Sequence, residues 1–342
     1  MRVLPEPRDL RVTPLVRRER RAEEGQASED GQGDGEQRAE RWGPPRERID
    51  RRTAVLAAIA FAAAFALAVA TSGLALSPDR YLLVLLAPAV VIRRARRYVL
   101  DFLPFGLLLV LYSESRGIAH LLHPHPYYLP QLDADKFLFG GHVPSVWLQE
   151  HLWDGDTRWH DRLMLEITRL HFVVPPFVAF AFWLRRRALF YRFAASMLTL
   201  SFAGATTFYL FPAAPPWAAS QAGVLGSVTK LTDAHPAVSG VPVQTSGSFS
   251  ISRLIDPNPY AAIPSLHGGY AFLVFLFLAA LAWHTPWRRI VVPLALLYPL
   301  LQSFAVVYTG NHYVVDLLIG FVYATAAVLA VDWVWRRRGW PR

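Results

Sequence analysis

Cysteine is absent from the 342 residues, which excludes disulfides and thiolate metal sites. Lysine occurs only at Lys136 and Lys230, so the net charge of +9 is carried almost wholly by arginine. Charged residues are scarce at 18%, against about 25% in soluble domains. No basic stripe is interleaved with exposed aromatics, so the basic pI gives no grounds for a nucleic-acid partner. The arginines instead bracket apolar runs, which is how a membrane protein fixes its orientation.

Residues 1–50 also lack an apolar period. They mix both signs of charge with Gly and Pro, and such a segment cannot bury enough apolar surface to offset its ordering entropy. A disordered cytoplasmic tail is expected there. It is too polar for a signal peptide.

What the rest of the chain has is apolar length. A helix needs about 20 apolar residues to cross roughly 30 Å of hydrocarbon. Such runs lie near 53–74, 98–114, 167–184, 193–212, 264–283, 290–308 and 312–335, with a shorter one at 81–92 containing Pro88. The arginine clusters at 46–52, 93–97, 185–187, 288–289 and 336–338 fall on one side only if all eight runs cross. An all-α polytopic bundle of about eight transmembrane helices follows, with both termini cytoplasmic and the longer segments 115–166 and 213–262 outside. Within the first of these, FLFGGHVPSVWLQEHLW mixes Trp147, Leu148, Leu152 and Trp153 with polar residues, as a helix lying in the interface does. His120, His123 and His125 alternate with prolines and are expected to be interfacial.

Two polar segments stand at the outer ends of late spans. Pro264-Ser265-Leu266-His267-Gly268-Gly269 opens one run, and a helix start leaves backbone N–H groups able to hold an anion. Asn311-His312-Tyr313-Val314-Val315-Asp316 opens the last, with His and Asp spaced to share one helix face. The span count puts His267, His312 and Asp316 at the same membrane face. A carboxylate so near the hydrocarbon marks function by default. An imidazole fixed by a carboxylate is a nucleophile, a second imidazole can protonate a leaving alkoxide, and helix-start amides can hold phosphoryl oxygens. This is phosphohistidine chemistry without a metal or other cofactor. The same residue types also suit a two-His-one-carboxylate metal site, or a proton-coupled transporter with Asp101 as its mid-span ionisable group.

At these residues the sequence resembles the type-2 phosphatidic acid phosphatase superfamily, and within it the inositol phosphorylceramide synthase-like branch. The superfamily's Pro-Ser-x-His block is matched by Pro264 to His267, and its His-x-x-x-Asp ending by His312 to Asp316. DPNPYAAIPSLH (256–267), YTGNHYVVDLLIG (308–320), FPAAPPW (211–217) and DADKFLFGGHVPSVWLQ (133–149) read like the branch.

The resemblance implies His312 as nucleophile, Asp316 as its orienting partner and His267 as general acid. It implies a six-helix phosphatase-like core over 98–336, preceded by two additional transmembrane helices over 51–97. The superfamily's phosphate-binding Lys and Arg-Pro are missing from Phe211–Trp217, and Ala305-Val306 replaces its Ser-Arg pair. Ser265 and Gly268, with Arg253 and secondarily Lys230, are the candidates to hold the substrate. The implied activity is transfer of a phosphoryl-bearing group from a membrane lipid, at the outer face of the plasma membrane, to an alcohol such as inositol. Hydrolysis by a lipid phosphate phosphatase is the alternative.

Overall fold

The structure is a computed structural model that describes residues 50–72, 78–118, 125–234 and 260–340. The expected tail up to residue 49, His120, His123 and Arg253 lie outside the described residues.

Among the described residues the chain is helical, without strands. The first helices are α1 (Arg51–Ser72), α2 (Pro78–Val91) and α3 (Ala95–Ile118). Two short helices follow, α4 (Leu129–Leu138) and α5 (Pro144–Leu152), then α6 (Trp159–Arg185) and α7 (Arg187–Leu210). The short α8 (Pro216–Gln221) and α9 (Leu231–Ala234) precede α10 (Leu266–Ala282), α11 (Arg288–Tyr308) and α12 (Val314–Arg337). Helices α1, α3, α6, α7, α11 and α12 are long and apolar enough to cross a membrane, and α2 and α10 are shorter apolar helices. The protein is an integral membrane helix bundle, and each expected crossing is matched by a helix.

The arginine clusters at 93–97, 185–187, 288–289 and 336–338 coincide with helix ends because charged side chains cannot stay in hydrocarbon. Ion pairs tie these ends together. Arg187 at the start of α7 meets Asp101 near the start of α3, with Nη2 to Oδ1 at 2.5 Å. Arg192 pairs with Asp332 near the end of α12. Asp101 also accepts from Trp183 Nε1 at 2.8 Å and Tyr191 OH at 2.6 Å, so this buried carboxylate is fully partnered.

Between the two ends the core is aromatic. Phe102 stacks on Phe190 with ring centroids 4.5 Å apart, and Phe193 and Phe277 meet edge-on at 5.2 Å. Helix α1 contributes little to this core and leans on Phe177 of α6 through Phe61. Pro88, Pro104, Pro175, Pro176, Pro293 and Pro299 all sit within helices, where membrane packing tolerates them.

The helix expected around Trp147, Leu148 and Leu152 is α5, and a second short helix, α4, precedes it. Gly140 and Gly141 adopt φ of 62° and 95°, a left-handed region that ends a helix. The run is therefore split into α4 and α5. Trp147 remains half exposed, as an interfacial side chain should be.

Candidate active site

The site forms where α10 and α12 start side by side. Ser265 precedes α10, and its hydroxyl accepts from the Gly268 N–H at 3.4 Å, the ordinary helix-capping geometry. Its own N–H donates to the Asp316 carbonyl at 2.9 Å, which ties the two helix starts together. Ser265 is fully buried, and Gly268 faces Leu317 so closely that a Cβ would lie 2.6 Å from Leu317 Cδ2. Two of the expected substrate-binding residues, Ser265 and Gly268, thus pack at the junction of the two helix starts. The amides of Leu266 and His267 have no acceptor among the described residues.

His312 is not on α12, as its spacing from Asp316 suggests. The helix begins at Val314, and His312 precedes its cap, Tyr313. Asp316, in the first turn, reaches back as in a capping box. Its Oδ2 accepts from the Tyr313 N–H at 2.9 Å and stands 3.3 Å from His312 Nδ1. The His–Asp contact is therefore made by helix-cap geometry, not by a shared helix face.

On its other side, His312 Nε2 lies 3.0 Å from His267 Nδ1. With Asp316 ionised and His312 a neutral imidazole, the proton sits on His312 Nδ1, its Nε2 carries the lone pair and His267 Nδ1 donates to it. The three residues are arranged in series, Asp316 to His312 to His267. They do not converge on one point as ligands of a single ion would, and no group of three metal-ligating side chains occurs among the described residues.

Two supports were not singled out from the sequence. Asp135 of α4 grips the start of α12, with Oδ2 accepting from the Val314 N–H at 3.0 Å and Oδ1 from the Val315 N–H at 2.9 Å. Burial pushes this carboxyl above the ordinary aspartate range, while the two amides oppose the shift. His171 of α6 lies against His267, with ring centroids 4.0 Å apart. Its Nδ1 donates to the Thr168 carbonyl at 2.6 Å, and Gln302 Nε2 donates to the same oxygen at 2.9 Å.

The outer segments brace this junction. Gln149 of α5 donates to the Thr229 and Tyr308 carbonyls at 2.9 and 2.8 Å and accepts from the Thr229 N–H at 2.8 Å. The FPAAPPW loop is pinned by Tyr127, whose N–H donates to the Pro212 carbonyl and whose ring stacks on Phe211 at 4.5 Å. Lys230 stands over the Trp217 ring at 4.8 Å and is not among the residues lining the cavity beside His267.

A family model described as the PAP2 superfamily matches residues 141–330, which contain His267, His312 and Asp316. A protein of Bacteroides thetaiotaomicron named phosphoinositol dihydroceramide synthase is 27% identical over 146 residues. That match covers 40% of this chain and 43% of the relative, so the chain spans less than half of the relative's length. No solved structure matches the chain. With more than half of its length matched by that family model, and with both histidine blocks inside the match, the chain belongs to the PAP2 superfamily.

Proposed function

We propose that the chain is a membrane-embedded phosphotransferase acting on a lipid phosphate ester, with His312 as nucleophile, Asp316 as its orienting partner and His267 as general acid. The observation that carries this reading is the serial contact of the three side chains, which leaves a lone pair on His312 Nε2 facing a proton on His267. A phosphoryl group entering between the rings meets both.

In the first half-reaction the His312 Nε2–P bond forms as the ester P–O bond breaks. The departing alkoxide takes the proton from His267. In the second, an acceptor hydroxyl gives a proton back to His267 as its oxygen replaces His312 on phosphorus. Asp316 stabilises the charge that develops on the His312 ring. The unpaired amides of Leu266 and His267, at the positive end of α10, suit the phosphoryl oxygens.

An alcohol acceptor such as inositol, in place of water, is supported by the printed name of the Bacteroides relative. Hydrolysis is the second reading, and it differs only in the acceptor. The arginine-rich helix ends support an outward-facing site in the plasma membrane, with both termini cytoplasmic. Residues 1–50 are then a cytoplasmic tail, 51–97 two additional membrane helices and 98–336 the catalytic unit.

The test uses purified protein with a lipid radiolabelled at phosphate and an alcohol acceptor. Wild type is expected to form the transfer product, and His312→Ala to lose about a thousandfold or more of that rate. Unchanged turnover in the variant would sink the reading. Phosphate release without transfer would select hydrolysis.

A further inference from the structure

A cavity lies between α2, α3, α6, α7 and α10. One end is polar. Arg116, His171, His267 and Tyr270 line it there, and Tyr270 OH is held 2.7 Å from Ser201 Oγ. The rest is apolar and runs along α3 past Leu109 and Phe105 to Phe102, with Leu82 and Leu85 of α2 on the facing wall. From Phe102 to Arg116 the helix covers roughly 21 Å, at ~1.5 Å per residue. That exceeds half of the ~30 Å hydrocarbon thickness, enough for a chain entering from one leaflet.

Charge and chemistry identify the occupant. Arg116 is the only Lys or Arg among the lining residues, and it shares the polar end with His267. The FPAAPPW loop and the Ala305-Val306 pair supply no basic side chain, so a phosphate at His312 needs its cation from another element. Away from the polar end, from Leu109 to Phe102 and across to Leu82 and Leu85, every lining side chain is apolar, which suits a hydrocarbon chain and not a peptide or sugar. Both α2 and α3 lie outside residues 141–330, the matched region.

We propose that this cavity holds one hydrocarbon chain of the substrate lipid along α3, with the lipid's phosphate at the polar end between Arg116 and His267. The inference rests on the phosphotransfer reading and adds to it a place for the tail and a cation for the headgroup. It also gives the helices before the matched region a part in substrate selection.

The experiment compares lipid phosphates of graded chain length. A Cβ at Gly106 would lie 2.5 Å from Leu82 Cδ1, so Gly106→Leu drives bulk into the cavity, and Leu109→Trp fills it independently. Both are expected to lower kcat/KM for the longest chain about tenfold or more and to shift the preference to shorter chains. Leu107→Trp, on the exposed side of α3, keeps the wild-type profile. Arg116→Gln raises KM at every chain length, and Arg116→Lys recovers part of it. Equal losses at all lengths in both filling variants, or an indifferent Arg116→Gln, would overturn the proposal.

A photoreactive lipid phosphate, with its diazirine in the tail, reads the cavity without turnover. Labelling of Phe105 and Leu109 that fails with the phosphate-free lipid is expected. Equal labelling by both lipids overturns the proposal, because it shows a cavity filled by any membrane lipid. Absence of turnover on every lipid in wild type would instead strike the phosphotransfer reading. His312-dependent turnover with an unaltered chain-length profile strikes only the chain site.

Discussion

The carbonyl oxygen of Ser265 lies where a side chain on Gly320 would begin, 2.3 Å from the position of its Cβ. Small residues at membrane helix contacts let backbones approach closely, and here the contact sets the spacing between the helix starts that carry His267 and His312. Gly320→Ala forces α10 and α12 apart. A displacement of about 1 Å can cost on the order of a hundredfold in rate, so kcat is expected to fall by about that much. Gly226→Ala, where the nearest atom to the new Cβ is 3.8 Å away, should leave kcat unchanged. Equal activity in the two variants would show that the spacing does not matter.

Asp135 is a helix cap donated by another helix. Asp135→Ala leaves the Val314 and Val315 amides without their acceptor, at about 1–3 kcal/mol for each orphaned group. A lower thermal midpoint in detergent is expected, with slower turnover because His312 adjoins the loosened helix start. The pH dependence has a definite sign. Burial holds the Asp135 carboxyl above its unfolded value, so its contribution to stability is full below the ordinary aspartate range and is lost as pH rises through the folded value. The stability advantage of wild type over Asp135→Asn should therefore shrink as pH rises from acid to neutral. An advantage that grows with pH refutes this account.

The six long apolar helices, the two shorter ones and the grouping of His267, His312 and Asp316 were legible in the sequence. Apolar run length and arginine placement are local features governed by the bilayer. What supports the triad was not legible, because it is made across the fold. Asp135 reaches Val314 over 179 positions, and Gln149 reaches Tyr308 over 159. No periodicity announces such pairs. His171 sits in an apolar run that reads only as a span, and Arg116 follows another. The split between α4 and α5 was visible as Gly140-Gly141 but lost to the stronger interfacial pattern around it.

His171 meets His267 by ring contact, so two variants that separate contact from hydrogen bonding are informative. His171→Phe keeps an aromatic face at that position and loses the bond to the Thr168 carbonyl. His171→Ala loses both. The alanine variant is expected to lower kcat by about tenfold or more with a smaller change in KM, since under the proposed mechanism a mobile His267 is misplaced in the transition state. The phenylalanine variant should recover most of kcat. If both fall equally, the Thr168 bond matters and the ring contact does not.

Asp101 decides between a structural ion pair and a relay. A proton carrier in a span needs a free protonation state and a path, whereas Asp101 is held by Arg187, Trp183 and Tyr191 at the end of the bundle away from the histidines. Asp101→Leu strands the Arg187 guanidinium, whose side chain is 17% exposed, and removing one member of such a pair costs about 3 kcal/mol. The variant should unfold at lower temperature while its folded fraction keeps the wild-type kcat. Adding Arg187→Leu removes the stranded charge and should restore much of the loss. A relay predicts the reverse, in which Asp101→Leu folds normally, loses function and is not rescued. Thermal unfolding in detergent beside turnover per folded molecule separates the two outcomes.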